Sequence, residues 1–463
     1  MAAYSCALLK DDLVGKSKVA CYRHIFLVHG RMTSACPRAQ YFCSTSADSE
    51  PSLAISGVKL TYICGFAWEP KGTVRARAFP LAEEMARRGH DVTLIIAPYD
   101  NRAYSGVQFV SNGVRVVNLE IKSREFPAMV RLAFDLVKKV YEGGPDLVHV
   151  FKPKGFSGLA AMWLQRRKVP VVLDCDDWEG WGGWNDVKDY PWLLKSFIDM
   201  QEKWLIRRSA AITVASQTLL DRALSLGKKA DQVFYIPNGP TTKQLELSTR
   251  LLREHAGVHK EKFGFDDAPL ILYAGHYDPA DDVMFFCRSV ARVAARKRVS
   301  VIFVGDGPEL PTVRSFFASR PEVSAHFLGT LPYDEYAERV TTADVCAFPY
   351  PDTPVYRAKC SARVIDYMLY GKAVITTSVG QNPEYIVNEV SGLLTPPGDE
   401  IKFEHALLRL VEDAELRRRL GSNARARILR NFRWSEWAGD NCERAYGSLI
   451  PRKHLEPVRV LAS

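Results

Sequence analysis

The sequence predicts an α/β protein with two doubly wound parallel sheets that face each other across a cleft. Two observations support this prediction. Continuous apolar segments alternate with helical periodicities from residue 58 onward, and the alternation starts again after a polar stretch that follows residue 240. Strands that are apolar along their whole length are typical of parallel sheets covered on both faces. In such folds, ligands bind at the carboxyl ends of the strands.

The first domain is predicted to cover residues 57–239. It begins with the strand KLTYICGF, the helix FPLAEEMARRG and the strand HDVTLIIAP, and Gly89 is a typical helix-ending residue between the last two. The later elements are strands at 146–151, 170–175 and 211–215 and helices at 157–168 and 193–209. This repeated alternation indicates one Rossmann-like domain.

The second domain is predicted to cover residues 269–433, after a polar helical connection at 240–268. Its strands are PLILYAG, VSVIFVGDGP, SAHFLG and DVCAFPY, and its helices include 283–295 and 309–320. A last helix is predicted at 434–450. Residues 1–56 lack a sustained period and resemble a disordered or targeting-like extension, so the predicted fold excludes them.

Composition excludes an integral membrane protein and disfavours a nucleic-acid-binding protein. The chain has 463 residues and a formal net charge of +9, and no segment has the roughly 20 apolar residues needed to cross a bilayer. Its positive charge is spread along the chain, which disfavours nucleic-acid binding. None of the ten cysteines forms a CxxC pair, which favours reduced thiols and a cytoplasmic protein. Peripheral contact with the inner membrane surface stays open as an addition to that location.

The segment 356–386 carries the first candidate site. A helix is predicted at 359–370, and the spacing of Lys359, Arg363 and Asp366 places all three on one face near its start. Basic side chains beside the free N–H groups of a helix start favour phosphate. We therefore predict a nucleotide-sugar site, with a solvated basic surface as the alternative.

The segment 173–192 carries the second candidate site. Asp174, Asp176 and Asp177 come at the end of an apolar strand, and Trp178 begins a glycine-containing loop with three more tryptophans. Aromatic rings and carboxylates suit a hydroxyl-bearing acceptor. The alternatives are tryptophans that fill a domain edge or enter a membrane surface. His149, near the end of another strand, is either an acceptor contact in the cleft or a packed core residue.

From 57 to 450, the chain resembles the retaining glycosyltransferases of family 4, which have the GT-B fold. The strings that carry the resemblance are PLAEEMARRGHDVTLI, ITVAS with IPNG, VGDGPE, and RVIDYMLYGKAVITT followed by NPEYI and SGLLTPPGD. The closing WSEW stretch resembles the family's crossing of the last helix back onto the first domain. The resemblance implies an N-terminal acceptor-binding domain and a C-terminal domain that binds a nucleotide-sugar donor.

The family's functional residues are only partly present. The second acid of its Glu-x7-Glu signature corresponds to Asp366, which the resemblance assigns to the donor ribose, whereas the first corresponds to Ala358. The family's arginine and lysine for the diphosphate correspond to His276 and to Asp281 or Asp282. Two cations that would stabilise a leaving diphosphate are therefore missing.

Other residues offer compensation for these two cations. Lys359 and Arg363 are predicted to hold the phosphates, together with Gly72 and Arg75 of the first domain, where Arg77 follows; a solvated helix start is the alternative for the two arginines. Gly305, Asp306 and Gly307 follow a buried strand, where glycine lets the backbone come close to a donor. A plain strand-to-helix turn is the alternative for these three residues.

The predicted function is transfer of a sugar from a nucleotide-diphosphate donor to an acceptor hydroxyl with retention of anomeric configuration. The acceptor is a glycan, a lipid or a small molecule, and neither a metal nor a cofactor other than the donor is expected. Two alternatives stay open: a non-catalytic nucleotide-sugar-binding protein of the same fold, and a nucleotide-sugar epimerase.

Overall fold

The computed structural model describes residues 57–450 apart from 70–71, 123–125 and 255–259, together with two short strands at 54–55 and 455–456. The predicted extension 1–56 lies almost wholly outside these residues. None of the described helices has the length and apolar character needed to span a membrane. The cysteines within the described ranges are free and buried.

The first half of the chain forms an eight-stranded sheet. Strand β1 (Ala54–Ile55) precedes it, and its own strands are β2 (Lys59–Cys64), β3 (Asp91–Ile96), β4 (Gln108–Ser111), β5 (Val114–Asn118), β6 (Leu147–Phe151), β7 (Val171–Cys175), β8 (Ala211–Val214) and β9 (Val233–Tyr235). The helices are α1 (Phe79–Arg87), α2 (Phe126–Gly143), α3 (Gly155–Arg166), α4 (Trp184–Val187), α5 (Trp192–Arg208) and α6 (Gln217–Ser225), and a π-helix (Val74–Ala78) leads into α1. The strand order is β4-β5-β3-β2-β6-β7-β8-β9, and only β4 is antiparallel to its neighbour.

The second half forms a six-stranded, fully parallel sheet. Helix α7 (Thr242–Glu254) leads to β10 (Leu270–Ala274), β11 (Ser300–Val304), β12 (Ser324–Gly329), β13 (Val345–Ala347), β14 (Ala373–Thr377) and β15 (Leu393–Thr395). The helices are α8 (Val283–Ala294), α9 (Leu310–Ala318), α10 (Tyr333–Thr342), α11 (Pro354–Ala358), α12 (Ala362–Leu369), α13 (Asn382–Tyr385), α14 (Glu400–Glu412) and α15 (Ala414–Asn431). The strand order is β12-β11-β10-β13-β14-β15. Two doubly wound α/β halves were predicted, and the structure confirms this fold class.

The last helix returns to the first sheet. A second π-helix (Trp434–Ala438) leads into α16 (Gly439–Gly447), and strand β16 (Leu455–Glu456) pairs with β1. The Tyr446 hydroxyl lies 2.6 Å from the Tyr62 hydroxyl of β2, and Trp437 Nε1 donates to the Tyr235 carbonyl oxygen at 3.1 Å. Cys442 and Tyr446 belong to the apolar core of the first half. The segment 434–447 therefore packs on the first half and stabilises it.

Local sequence explains how several of these elements end. Gly89 lies two residues after the end of α1 and adopts a φ of +90°, which is a conformation that favours glycine. Ser216 caps α6 by accepting from Leu219 N at 3.2 Å, and Ser361 caps α12 by accepting from Val364 N at 3.2 Å. These caps satisfy N–H groups that have no partner within a helix.

Candidate active-site cleft

The helix predicted at 359–370 begins only at Ala362, and a short separate helix, α11, ends just before the predicted segment. Helix α11 ends at Ala358 and α12 begins at Ala362, while Lys359 has an extended backbone with φ −75° and ψ 136°. Arg363 and Asp366 do share α12. The prediction that Lys359 lies on the same helical face was wrong, because the cap at Ser361 starts the helix after it.

Lys359 lies at the junction of the two halves, beside aromatic rings. Its ammonium lies 4.8 Å from the centre of the Tyr356 ring and 6.0 Å from that of Tyr350. Across the described part of the chain, no carboxylate lies within 4.0 Å of it. Its charge acts at longer range on Asp177 of the first half and on Asp281 of the second, where it opposes the rise in pKa that burial favours.

Arg363 and Asp366 form a more enclosed group. Asp366 is only 2% exposed, and its Oδ1 accepts from Gln244 Nε2 at 2.9 Å and from the Tyr333 hydroxyl at 2.8 Å. Arg363 Nη1 lies 3.7 Å from Asp366 Oδ2, and its side chain is 39% exposed. Burial raises the pKa of Asp366, and the charge of Arg363 opposes that rise. Arg363 therefore has free donors, whereas a ribose hydroxyl could reach Asp366 Oδ1 only by replacing Gln244 or Tyr333.

The loops that follow β10 and β11 are locked together by their backbones. A Cβ on Gly305, whose φ is +117°, would lie 1.9 Å from the Gly275 carbonyl oxygen, and one on Gly307 would lie 2.7 Å from Tyr277 N. The Asp306 carbonyl oxygen accepts from His276 Nδ1 at 2.6 Å and from Tyr277 N at 3.2 Å. The two glycines are therefore required by packing between the loops. His276 and Asp306 remain exposed at this edge of the sheet.

Asp281, at one of the positions where the family carries a lysine, is largely buried. It is 7% exposed, and its Oδ2 accepts from Asp278 N at 3.3 Å. Burial raises its pKa, and Lys359 is the largest opposing influence. A carboxylate and an ammonium thus stand on neighbouring segments at the carboxyl edge of the second sheet.

Asp174 and Arg77 form a buried ion pair. Arg77 Nε donates to Asp174 Oδ1 at 2.9 Å and Nη2 donates to Oδ2 at 2.7 Å, and the two side chains are 1% and 0% exposed. Arg77 Nη1 also donates to the carbonyl oxygen of Ile236 at 2.6 Å and to Asn238 Oδ1 at 2.9 Å. Asp174 was predicted to contact the acceptor, and this prediction was wrong because Asp174 has no exposed surface. The ion pair with Asp174 directs Arg77 inward, so Arg77 cannot reach a phosphate.

His149 is a packed core residue. It is fully buried, with Nδ1 2.8 Å from the Tyr446 hydroxyl and Nε2 3.0 Å from Thr213 Oγ1. Thr213 in turn donates to Asp174 Oδ2 at 2.6 Å. Burial lowers the pKa of His149 to about 4, so the ring is neutral at pH 7. Its predicted contact with the acceptor was therefore also wrong.

Asp176 and Asp177 lie beside a lysine that the sequence analysis did not select. Lys152 Nζ is 2.9 Å from Asp176 Oδ1 and 3.2 Å from Glu179 Oε1, and it also pairs with Asp177. Burial raises the pKa of Asp176 to about 6. Burial also acts to raise the pKa of Asp177, but Lys152 outweighs it and lowers that pKa below its usual value. Lys152 was detectable, because it follows β6 at the edge where Asp176 follows the neighbouring β7.

The remaining predicted residues all lie in the first half and differ in their exposure to solvent. Gly72 is exposed, and a Cβ there would meet nothing within 4 Å. Arg75 Nη1 pairs with Glu69 Oε1 at 3.1 Å on the surface, and its charge also acts on Asp366. Trp178 lies under the Arg222 guanidinium, whose carbon is 4.1 Å from the ring centre. Its loop is packed closely, since a Cβ on Gly183 would lie 2.1 Å from the Trp178 carbonyl oxygen.

Direct contacts join the two halves around this site. Lys188 Nζ lies 3.4 Å from Asp278 Oδ2. At the base, Asn238 N donates to Cys360 Sγ at 3.2 Å, and the Tyr385 hydroxyl donates to the Asn238 carbonyl oxygen at 2.7 Å. The carboxyl edges of both sheets therefore border one cleft, with Lys359 between them. No group of three or more histidines, cysteines or acids in the described ranges is arranged to hold a metal.

Comparisons with known proteins agree with this architecture. Residues 72–239 match the glycosyl transferase 4-like domain, and residues 268–413 match the glycosyl transferases group 1 domain. The two matches together span more than half of the chain. The chain belongs to glycosyltransferase family 4. It is thus a glycosyltransferase with the GT-B fold.

Individual relatives of this family 4 glycosyltransferase are distant. The alpha-D-kanosaminyltransferase of Streptomyces kanamyceticus is 22% identical over 241 residues, which are 50% of this chain and 60% of that enzyme. The phosphatidyl-myo-inositol mannosyltransferase of Mycolicibacterium smegmatis is 22% identical over 82% of this chain and 91% of its own. The HepE protein of Anabaena, solved in complex with UDP-glucose, has a TM-score of 0.63 and 16% identity over 84% of this chain and 100% of its own.

Proposed function

We propose that this glycosyltransferase moves a sugar from a nucleoside-diphosphate donor to an acceptor hydroxyl and retains the anomeric configuration. The observation that carries the proposal is Lys359, a half-buried ammonium at the cleft with no carboxylate within 4.0 Å in the described ranges. A cation that is held by aromatic rings and lacks an anionic partner favours a phosphate ligand. The UDP-glucose complex of HepE supports a donor of this class.

Lys359 and Arg363 would share the diphosphate. Arg363 is held by the Tyr336 ring at 4.8 Å and by Asp366, and its guanidinium keeps free N–H donors. In the reaction, the acceptor oxygen bonds to the anomeric carbon as the bond from that carbon to the diphosphate oxygen breaks. The acceptor proton passes to the leaving diphosphate, so no protein base is required. Stabilisation of the leaving charge by these two cations would be the main catalytic contribution.

The roles of the neighbouring residues are more indirect. Asp366 would meet the ribose once Gln244 or Tyr333 moves, and until then it orients Arg363. Asp306 and the backbone of Gly305 and Gly307 would shape the donor side of the cleft. His276, at the position where the resemblance places the family's arginine, would line the same edge, with its Nδ1 hydrogen already donated to the Asp306 carbonyl oxygen.

The acceptor would bind on the first half, beside Asp176, Asp177 and the tryptophan-containing loop that begins at Trp178. The indole of Trp192 is 69% exposed at the start of α5, so it is free to stack on an acceptor ring or apolar chain. We expect Trp192→Ala to raise the KM for acceptor with little effect on the melting temperature. An unchanged KM for acceptor would place the acceptor elsewhere.

The first test is nucleotide binding. UDP, GDP and ADP are titrated by thermal shift against the wild type, Lys359→Gln and Arg357→Gln. Arg357 is a matched control because it lies two residues away and is paired with Asp352 on the surface. We expect one diphosphate to stabilise the wild type and Arg357→Gln, and to bind Lys359→Gln at least about tenfold more weakly.

Incubation with the sugar conjugate of the diphosphate that binds, followed by product analysis, separates the remaining alternatives. Ala358 is fully buried and offers no carboxylate to the donor sugar. If a nucleotide sugar binds and is neither hydrolysed nor transferred to any acceptor, the protein is a non-catalytic binder. If the sugar is converted without an acceptor, the epimerase alternative holds. The absence of a thermal shift with every nucleotide would reject the proposal.

A further inference from the structure

A cavity of about 750 Å³ lies between α7 and α15, and its lining is rich in arginine. The lining includes four arginines, Arg250, Arg253, Arg425 and Arg433, and two glutamates, Glu246 and Glu254. The lining therefore carries an excess of two positive charges. None of these residues takes part in the cleft contacts described above.

Three of the arginines have no anionic partner among the residues that the structure describes. Within the described residues, Arg250, Arg253 and Arg433 have no carboxylate within 4.0 Å, and all three side chains are exposed. Their planar guanidinium groups can each donate two parallel hydrogen bonds to one phosphate group. Most other arginines of α15 have partners outside the cavity. Arg427, for example, donates hydrogen bonds to two backbone carbonyl oxygens.

Arg425 is the deepest of the four. Its Nη1 donates to the Leu369 carbonyl oxygen and lies 3.3 Å from Ser248 Oγ, so both partners are neutral. Burial lowers its pKa, which means that its charge is incompletely compensated. An anion in the cavity would supply the missing compensation, since opposite charge favours the charged form of a buried group.

We propose that this cavity is a second ligand site, which binds a small molecule through a phosphate monoester group. The site is separate from the donor cleft and does not depend on the function proposed above. It is not isolated from the cleft, because α7 also carries Gln244, which donates to Asp366. Leu369, the partner of Arg425, ends the helix whose first turn carries Arg363. An occupant of the cavity would thus contact α7 directly and would reach α12 only through Arg425.

The test measures binding of inorganic phosphate and glycerol 3-phosphate by isothermal titration calorimetry at constant ionic strength. The cavity variant is Arg250→Gln/Arg253→Gln, and the matched control is Arg418→Gln/Arg430→Gln. The control residues are exposed on α15 outside the cavity, and they remove the same charge. We expect saturable binding to the wild type and the control, and at least about tenfold weaker binding to the cavity variant.

One further variant and one further probe identify the site and the source of the ligand. The cleft variant Lys359→Gln/Arg363→Gln should keep glycerol 3-phosphate binding, whereas the cavity variant should keep nucleotide binding. Vesicles containing phosphatidic acid, compared with soluble glycerol 3-phosphate, distinguish a lipid headgroup from a free ester. The proposal is overturned if no phosphate compound binds saturably, if the cavity and control variants weaken binding equally, or if only the cleft variant loses it.

Discussion

His149 should make the stability of this protein fall as the pH is lowered from 7 to 4. The ring is fully buried among Tyr446, Thr213 and the Tyr62 ring. Burial lowers its pKa from the ordinary value of 6.5 to about 4, against the attraction of Asp174. Between these two values, the unfolded chain binds a proton that the folded chain does not. Stability is therefore fully present above pH 6.5 and is lost as the pH falls.

The size of the effect follows from the two pKa values. One pKa unit corresponds to about 1.4 kcal/mol. The difference between the two pKa values therefore lowers the free energy of unfolding by about 3 kcal/mol below pH 4 and by about 2 kcal/mol at pH 5. Asp176 acts in the opposite direction, because burial raises its pKa to about 6 and the folded state then gains a proton as the pH falls. The stability curve of the wild type alone therefore cannot isolate His149.

A variant with no titrating group at this position isolates it. His149→Gln keeps an amide that can bond to Tyr446 and Thr213 and removes the ionisation. The free energy of unfolding is measured in urea at pH 7.5, 6 and 5 for both proteins. We expect the wild type to lose about 2 kcal/mol more than the variant between pH 7.5 and 5. Parallel curves would show that His149 is not held neutral, and a steeper loss in the variant would contradict the sign.

Three further predictions test packing and charge. Arg77→Met leaves a carboxylate buried without its cation, so we expect a loss of about 3–5 kcal/mol in urea unfolding; the exposed Arg75→Met is the control, and equal losses would reject the reasoning. Gly305→Ala places a methyl group 1.9 Å from the Gly275 carbonyl oxygen, so we expect at least about 2 kcal/mol of destabilisation, and a neutral result would show that the two loops can separate freely. Asp281→Asn removes a negative charge near the proposed diphosphate, so we expect nucleoside diphosphate to bind several-fold more tightly by calorimetry, and weaker binding would show that the carboxylate assists the donor.

Regular elements of both sheets could be predicted because their apolar periodicity is local. The helix predicted at 193–209 is α5 (Trp192–Arg208), and the predicted strand SAHFLG is β12. The antiparallel pair β4–β5 was missed, although Asn112 and Gly113 between the strands are a strong hairpin signal. Both adopt positive φ, at 48° and 79°. The alternation of strands and helices drew attention away from a turn motif that is equally local.

The charged residues were harder to place because their partners are distant in the sequence. Asp174 and Arg77 are 97 residues apart, and no local pattern joins them. Burial of Asp174 was still detectable, since it lies inside the apolar run VVLDC rather than after it. A carboxylate within a buried strand requires a buried donor. The prediction of an acceptor contact treated the end of the strand as exposed.

The charges at the donor side show how this chain departs from the family pattern that its sequence resembles. The resemblance places His276 and either Asp281 or Asp282 where the family carries two cations after the first strand of the second domain, and Asp281 is buried. The ammonium of Lys359 comes from a different segment, before α12, and stays close enough to oppose the rise that burial causes in the pKa of Asp281. Since the carboxyl ends of parallel strands share one edge, a cation can change segments and still face the same ligand. The positive charge at the cleft thus depends on the break that frees Lys359 from the helix, which the spacing of charged residues alone did not reveal.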